Sequence, residues 1–217
     1  YKAGMKMITA FNPDIIIMDD GFQHISLYRD LDIVLINAKD TEKSHRLIPL
    51  GLLREPLSNL SRANLVIFTK TNIYKPSQYQ EKIKKKIKCP IINNKIDIDS
   101  ILLDTKGESH HLKIINSKNI YLFSALGDQE GFKITMEKTG AIIVGHDKYP
   151  DHHIYTNNDL KNIEKNAKRN DASFIITTEK DILKTISYNK NMNLYCVKMK
   201  MVFEPDNILI KYIEKII

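Results

Sequence analysis

The chain has 217 residues, a formal net charge of +7, a pI near 9.2 and two cysteines. No apolar stretch reaches the roughly 18 residues that a membrane-spanning helix needs, and two isolated cysteines provide neither a disulfide framework nor a metal-binding spacing. The sequence thus excludes a membrane span and a disulfide-stapled domain within these residues. The positive charge favours anionic partners, with simple solubility as the alternative.

Predicted strands and helices alternate along the chain, which is typical of a parallel α/β fold. We expect strands at 14–18, 31–36, 65–69, 120–124, 141–144, 174–177 and 194–197, and helices at 77–87, 128–138, 158–170, 180–187 and 206–217. The stretch 90–116 departs from this pattern, because polar and apolar residues alternate at 94–98 and a Gly-Glu-Ser-His-His turn follows.

This irregular stretch suggests a division into two domains near Lys88. We predict a first domain over 1–88 and a second, smaller α/β domain over 89–217. Residues 193–203 would pair with the irregular stretch as a linking β-ribbon, after which the last helix would return to the first domain.

Two adjacent carboxylates, Asp19 and Asp20, follow the apolar run Ile15-Ile16-Ile17-Met18. Such a run predicts a central strand that is buried on both faces, and open α/β sheets bind ligands at the carboxyl ends of their strands. Carboxylates placed there suit Mg²⁺ beside nucleotide phosphates. The alternative is a turn that ends the strand, in which Asp19 is the capping residue of the turn and Gly21 has a positive φ. The Phe22-Gln23-His24 continuation favours a binding site, because an amide and an imidazole crowd directly behind the carboxylates.

Arg54 and Glu55 follow the glycine-bearing loop Leu50-Gly51-Leu52-Leu53. An arginine on such a loop suits bidentate recognition of phosphate oxygens and the charge that develops in phosphoryl transfer. A local pair between Arg54 and Glu55 on the surface is the alternative, and the sequence does not decide between the two.

A second polar cluster, Asp151-His152-His153, follows a predicted strand and Pro150. A carboxylate can orient an imidazole at a sheet edge, and an imidazole titrates near neutral pH, which suits proton transfer. A turn held by a structural Asp-His hydrogen bond is the alternative. For the block over 177–181 we expect a structural role, with Thr178 as a helix cap and Glu179 at the positive helix end.

Two further polar runs are interpreted as surface features. The lysine-rich run over 82–88 places Ile83 and Ile87 four residues apart without interleaved aromatic residues, which is typical of an amphipathic surface helix. We therefore expect no nucleic-acid partner. His110 and His111 are interpreted as loop histidines, because no third ligand lies at a recognisable metal spacing.

Several blocks, in order and with matching spacing, cover nearly the whole chain. They are Asp-Asp-Gly-Phe-Gln-His at 19–24, Leu-Tyr-Arg-Asp-Leu-Asp-Ile-Val-Leu at 27–35, Leu-Arg-Glu-Pro-Leu at 53–57, Arg-Ala-Asn-Leu-Val-Ile at 62–67, Tyr-Pro-Asp-His-His-Ile-Tyr-Thr at 149–156 and Thr-Thr-Glu-Lys-Asp at 177–181. Together they resemble the tetraacyldisaccharide 4′-kinase family, which phosphorylates the lipid A disaccharide. The resemblance implies a P-loop-NTPase-like parallel sheet and a second, smaller α/β domain.

The resemblance also implies an activity: transfer of the γ-phosphoryl group of ATP to the 4′-hydroxyl of a tetraacyldisaccharide 1-phosphate. Asp19 and Asp20 would bind Mg²⁺. The cleft for the nucleotide and the acceptor would be lined by Gln23, His24, Arg54 and Glu55.

For the second domain, the resemblance implies that His152, next to Asp151, helps to deprotonate the acceptor hydroxyl. It further implies a peripheral location on the anionic surface of the bacterial inner membrane, at its cytoplasmic face.

Some features of the family are missing from these 217 residues. The family carries a Gly-x-x-x-x-Gly-Lys-Ser/Thr phosphate loop, a membrane-associated helix and an acidic catalytic residue ahead of the first block, whereas this chain has no Gly-Lys pair. The chain is thus similar to the C-terminal two-thirds of the enzyme, and we expect it to be inactive alone. A non-catalytic remnant or a binding module is the alternative. Gly51-Leu52 and the block over 125–132 also differ from the family pattern, which affects the expected loop geometry.

Overall fold

The structure is a computed structural model that describes residues 2–185 and 193–217. Its helices in chain order are α1 (Lys2–Phe11), α2 (Gln78–Lys84), α3 (Gln129–Glu137), α4 (Asn157–Arg169), α5 (Glu179–Ile182) and α6 (Asp206–Glu214). Its strands are β1 (Ile33–Asn37), β2 (Leu65–Thr69), β3 (Ile91–Asp104), β4 (Ser109–His111), β5 (Asn119–Ser124), β6 (Ile142–Lys148), β7 (Phe174–Thr178) and β8 (Leu194–Glu204). Short 3₁₀ helices cover Leu57–Arg62 and Leu112–Ile115. Within the described ranges, every helix is too short or too polar to cross a bilayer.

The chain divides into two units. Unit 1 comprises Tyr1–Lys95 and Val202–Ile217, and unit 2 comprises Ile96–Met201. Strands β3 and β8 each pass from one unit into the other, so unit 2 is inserted between two parts of unit 1. The boundary differs from the one expected near Lys88, because unit 1 extends to Lys95. The expected return of the last helix to the first domain is confirmed, because α6 belongs to unit 1.

In unit 1, β2 is the central strand and pairs in parallel with β1 on one side and with β3 on the other. Its residues are buried on both faces: Val66 and Phe68 join one apolar cluster, whereas Leu65 and Ile67 join a second. This two-sided burial explains why β2 is apolar throughout. The second cluster also contains residues from β3, β8 and α6, namely Ile92, Phe203, Ile208 and Leu209.

In unit 2, β5 pairs in parallel with β6 and with β7, and β7 pairs in parallel with β8. Strand β4 folds back antiparallel onto the end of β3. Ile120 and Leu122 of β5 pack in the cluster that contains residues of α3, and Tyr121 and Phe123 pack in the cluster that contains residues of α4. Burying one such large side chain contributes roughly 1.5–3 kcal/mol, so helices on both faces stabilise this parallel sheet.

The helix ends follow the local sequence. Ser77 caps α2 by accepting a hydrogen bond from the Gln80 amide, and Thr156 forms a reciprocal capping box with Asp159 at the start of α4. Each such cap satisfies N–H groups that lack partners in the first helical turn. The predicted cap at Thr178 is confirmed, because its hydroxyl accepts a hydrogen bond from the Asp181 amide at the start of α5.

The predicted α/β fold is confirmed, as are the predicted strands from residue 31 onward and the positions of the helices, with shifts of a few residues at the ends. The irregular stretch 90–116 forms the long strand β3, strand β4 and a 3₁₀ helix. For the helix expected at 180–187, the structure has α5 at Glu179–Ile182, and residues 186 and 187 lie outside the described residues. Helix α1 was not predicted.

The prediction of a strand over 14–18 is wrong. These residues form neither strand nor helix, and the side chain of Ile17 is 90% exposed. A strand requires a neighbouring strand to satisfy its backbone N–H and C=O groups. Among the described strands, β1 pairs only with β2, so the apolar run has no partner strand. A short apolar run in the sequence does not show whether a neighbouring strand is present to pair with it.

Candidate functional site

In unit 1, Asp19 and Asp20 lie in an exposed turn and not at the end of a strand. Asp20 has a φ of 52°, so the left-handed residue of this turn is Asp20 and not the expected Gly21. Aspartate tolerates this conformation better than most residues with a side chain. Gly21 is buried, Gln23 is half-buried and His24 is exposed.

Arg62 anchors the segment that follows the carboxylates. Its Nη2 donates to the two carboxylate oxygens of Glu55 at 2.8 and 2.9 Å and to the carbonyl of Phe22 at 3.2 Å. Its guanidinium carbon lies 4.6 Å from the centroid of the Phe22 ring, within the range of a cation–π interaction. Asn59 adds a hydrogen bond to Glu55 at 2.7 Å. The backbone at Phe22 is therefore fixed by charge-assisted contacts.

Arg29 anchors the other end of the same segment. It binds the carboxylate of Asp32 with two nitrogens, at 2.6 and 3.1 Å. It also donates to the carbonyls of His24, at 2.6 Å, and Leu27, at 2.9 Å. Two arginines thus hold the loop after the aspartates, although the sequence reasoning assigned a role to neither.

Arg54 and Glu55, which were predicted together, have different partners. Glu55 binds Arg62, whereas Nη2 of Arg54 lies 3.4 Å from Oδ2 of Asp20. The alternative of a local pair between Arg54 and Glu55 is therefore wrong for the described chain. Arg54 and Asp20 are both largely exposed, so this contact contributes little to stability. It does place a guanidinium beside the aspartate turn.

The aspartate turn has the donor set that Mg²⁺ requires. Asp19 has no ion-pair or hydrogen-bond partner among the described residues, and Asp20 has only the long contact with Arg54. Mg²⁺ is commonly bound by one or two carboxylates, with water and phosphate oxygens completing its shell. The two residues therefore fit the predicted ion.

In unit 2, the turn over 149–156 separates two neighbouring histidines. His152 has a φ of 62°, and its side chain is 94% exposed. Its backbone N–H donates to Oδ1 of Asp151 at 3.0 Å, and its Nε2 lies 3.9 Å from Oδ2 of the same residue. Asp151 thus fixes the turn, and the imidazole of His152 extends into solvent.

His153 is held firmly by comparison. Its Nε2 lies 3.1 Å from Oδ2 of Asp159, and its ring stacks on Tyr149 with a centroid distance of 4.7 Å. Tyr155 contacts the ring edge-on at 5.2 Å. Hydrogen bonds from Thr156 and then from His153 lower the pKa of Asp159. The alternative of a structural Asp-His hydrogen bond therefore describes His153 and not His152.

Beside this turn lies a polar network that sequence reasoning missed. Ser124, at the end of β5, hydrogen-bonds to Gln129 and lies 2.9 Å from Nε2 of His146 on β6. Gln129 in turn donates to the carbonyl of Tyr149 at 2.8 Å. Burial, together with nearby Lys148, lowers the pKa of His146 to about 4, so this imidazole is neutral at pH 7. A histidine shortly after one predicted strand and a serine at the end of another are the available sequence signals.

Asp181 provides a second connection at the strand ends of unit 2. Its carboxylate is fully buried and accepts hydrogen bonds from the Ala125 amide at 3.1 Å and the Thr178 hydroxyl at 2.9 Å. Lys184 lies 3.3 Å from the other carboxylate oxygen. The block over 177–181 therefore ties the loop after β5 to the start of α5, in agreement with the structural interpretation.

Unit 2 also has a shallow basic depression of about 440 Å³ between β6 and α4. Lys148, Lys165 and Arg169 contribute three cationic side chains to it, against one carboxylate from Asp147, and two asparagines of α4 contribute amides. Such a depression attracts anionic groups.

The family model described as tetraacyldisaccharide-1-P 4′-kinase matches residues 1–217. The chain belongs to this family. The tetraacyldisaccharide 4′-kinase of Elusimicrobium minutum is 36% identical over 215 residues, which are 93% of this chain and 55% of the relative. That of Halothermothrix orenii is 31% identical over 222 residues, covering 93% of this chain and 57% of the relative.

A solved structure agrees with the fold. The crystal structure of LpxK from Aquifex aeolicus in complex with ATP matches with a TM-score of 0.70 and 28% sequence identity, and the match covers 100% of this chain and 62% of that protein. The P-loop-NTPase-like α/β fold is thus confirmed. The chain spans less than two thirds of the length of these relatives.

Proposed function

We propose that this chain carries the metal-binding and acceptor-activating residues of a kinase that transfers the γ-phosphoryl group of ATP to the 4′-hydroxyl of a tetraacyldisaccharide 1-phosphate. The observation that carries the proposal is the pairing of an accessible imidazole with a carboxylate: the His152 side chain is 94% exposed, and Oδ2 of Asp151 lies 3.9 Å from its Nε2. A carboxylate beside an imidazole can orient it for proton transfer. Membership of a family named for this reaction supports the assignment.

In this proposal, His152 accepts the proton of the acceptor hydroxyl. The hydroxyl oxygen forms a bond to the γ-phosphorus, the bond from that phosphorus to its bridging oxygen breaks, and ADP leaves. Asp151 holds the turn through its hydrogen bond to the His152 amide and offers a carboxylate 3.9 Å from Nε2. A positioned general base of this kind typically accelerates a reaction by roughly 10²- to 10⁴-fold.

The residues of unit 1 serve the nucleotide. Asp19 and Asp20 would hold Mg²⁺, which neutralises charge on phosphate oxygens when it is bound. Arg54, beside Asp20, offers a guanidinium to the same oxygens. Gln23 and His24 extend from the loop that Arg62 and Arg29 fix, and they line the nucleotide site. Glu55 contributes indirectly in this proposal, because it orients Arg62 against the Phe22 backbone.

The proposed location is the cytoplasmic face of the inner membrane, where the enzyme binds peripherally and reaches its lipid substrate. A net charge of +7 and the basic depression of unit 2 support attraction to an anionic bilayer surface.

A chimera tests the proposal. The 217 residues are joined behind the part of the Aquifex aeolicus protein that precedes the match, and transfer of labelled phosphate from ATP to a tetraacyldisaccharide 1-phosphate is measured. We expect labelled product in the presence of Mg²⁺. ATP binding serves as the control for correct assembly. A chimera that binds ATP but phosphorylates no disaccharide would rule out the proposed function.

A further inference from the structure

A hairpin in unit 2, remote in sequence from the proposed kinase residues, brings three potential metal ligands together. Asp104 ends β3, Glu108 lies in the turn and His110 lies in β4, and one donor atom from each falls within 4.8 Å of the others. Within residues 2–185 and 193–217, this is the only group of three or more such side chains in that arrangement.

The hairpin geometry explains why these side chains converge. Strands β3 and β4 are antiparallel, with Leu103 opposite Ser109, so Asp104 and His110 lie near each other across the ladder. The turn closes through hydrogen bonds from the Gly107 amide to the Asp104 carbonyl and from the Asp104 amide to the Glu108 carbonyl, both at 3.1 Å. Gly107 has a φ of 81°, which glycine adopts without steric cost.

Two of the three side chains are held in fixed orientations. Oδ1 of Asp104 accepts hydrogen bonds from the backbone amides of Lys106, at 2.8 Å, and Glu108, at 2.9 Å. The second carboxylate oxygen, Oδ2, then faces His110. The His110 ring packs edge-on against Tyr195 with a centroid distance of 5.2 Å. Preoriented ligands of this kind lower the cost of binding an ion.

The distance between the two fixed ligands suits an ion better than a direct hydrogen bond. Nε2 of His110 lies 3.4 Å from Oδ2 of Asp104, longer than the usual range of about 2.7–3.2 Å for an N–H···O bond. Two ligand atoms that each lie about 2.1 Å from one tetrahedral ion are about 3.4 Å apart. The Glu108 carboxylate has no partner in the described part of the chain and can reach the same ion.

We propose that Asp104, Glu108 and His110 bind a divalent transition-metal ion, such as Zn²⁺, with a water molecule in the fourth position. One imidazole and two carboxylates form a donor set that suits such ions. The spacing Asp-x-x-x-Glu-x-His differs from the recognised metal motifs, so the interpretation of His110 as a loop histidine missed it. His111 is not a ligand, because it follows His110 in β4 and successive side chains of a strand point to opposite faces. Its Nδ1 accepts a hydrogen bond from the Lys113 amide at 3.1 Å and caps the following 3₁₀ helix.

Titration with Co²⁺ as a visible-absorption probe tests the site in the untagged 217-residue chain. We expect one equivalent to bind with tetrahedral absorption bands, and Zn²⁺ to displace it. His110→Ala and Glu108→Gln should each weaken Co²⁺ binding at least about tenfold. His111→Ala is the matched control and should bind as the parent chain does. Zn²⁺ should also raise the thermal midpoint of the parent chain and not that of His110→Ala.

A double variant distinguishes this hairpin site from the proposed Mg²⁺ site of unit 1. Asp19→Asn combined with Asp20→Asn should retain full Co²⁺ binding, because neither carboxylate belongs to the hairpin. The proposal is overturned if no saturable one-to-one binding is seen. It is equally overturned if His110→Ala and Glu108→Gln bind Co²⁺ as tightly as the parent, or if His111→Ala alone abolishes binding.

Discussion

The two segments proposed to carry the chemistry, 19–24 in unit 1 and 149–156 in unit 2, are held by different kinds of contact. In unit 1, the guanidinium groups of Arg62 and Arg29 bind carboxylates and backbone carbonyls around the loop. In unit 2, His153 stacks on Tyr149, contacts Tyr155 and hydrogen-bonds to Asp159. One loop is therefore fixed by permanent charges and the other by aromatic packing and a helix cap.

Both segments nevertheless expose the residue proposed to act. Asp20 and His152 each have a positive φ, and both side chains are largely exposed, whereas Phe22 and His153 nearby are anchored. Left-handed residues with side chains are sparse and often occur at functional sites. In both segments the anchoring contacts are made by residues near the one proposed to act, and the side chain proposed to act stays exposed to solvent.

The largest expected effect distinguishes the two histidines of unit 2. In the chimera, His152→Ala should lower kcat by roughly 10²- to 10⁴-fold, because it removes a general base. ATP affinity should stay nearly unchanged, and the acidic limb of the kcat profile against pH should be altered. His153→Ala should lower kcat much less than His152→Ala does. If His152→Ala retains full kcat, or if its defect is confined to ATP binding, His152 is not the general base and the turn has only a structural role.

A smaller effect is expected in unit 1. Asp19→Ala and Asp20→Ala should each depress transfer by the chimera, and additional Mg²⁺ should restore part of the rate, because metal affinity is lost as well as positioning. The measurement is the rate as a function of Mg²⁺ concentration. Unchanged activity and an unchanged Mg²⁺ dependence in both variants would count against the assignment.

The pH dependence of stability should reveal His146, the half-buried histidine that contacts Ser124. Burial lowers the pKa of His146 from 6.5 to about 4, so between these values the unfolded chain binds more protons than the folded chain. The free energy of unfolding should therefore fall as the pH drops from about 6.5 to about 4, by roughly 1–3 kcal/mol. Urea unfolding at pH 7 and pH 5 measures this loss, and His146→Gln should reduce it. An identical pH dependence in the two proteins would exclude His146 as the cause.

The smallest effect concerns the backbone of the same turn. Because His152 has a φ of 62° and makes few side-chain contacts, His152→Gly should raise the free energy of unfolding by about 0.5–1 kcal/mol while it abolishes the base. His153→Gly is the matched comparison and should destabilise the chain, since it removes aromatic packing. Denaturant midpoints measure both changes. A destabilised His152→Gly would mean that the His152 side chain supports the fold.

Much of the fold was predictable because its strands are buried on both faces. Apolar runs such as 65–69 and 120–124 coincide with strands that pack helices or loops on each side. The run at 14–18 is equally apolar, but it has no neighbouring strand in the described chain. The composition of a run does not show whether a partner strand exists. The expected pairing of 193–203 with the irregular stretch is confirmed, because β8 neighbours β3 in the sheet. The alternation at 94–98 is typical of a strand, but it covers only part of β3, so the full length of that strand was not predicted.

The sequence identifies the residues proposed to act, but it does not identify the contacts that anchor their loops. The pattern Asp-His-His indicated a proton-transfer site, but it could not show that His153 packs between tyrosines while His152 is exposed. Arg62 and Phe22 are 40 positions apart, so their contact depends on the tertiary fold. The same limit applies to His146 and Ser124, which meet only because β5 and β6 pair in parallel.

The insertion of unit 2 within unit 1 has a consequence for synthesis. The core of unit 1 that contains Leu65 and Ile92 is completed by Ile208 and Leu209 of α6, near the end of the described chain. Unit 2 ends at Met201, so all of its residues are synthesised before those of α6. Domains arranged one after another usually fold from the N-terminus onward during translation. Here we expect the middle of the chain to finish folding first, and the N-terminal residues to wait for the last helix.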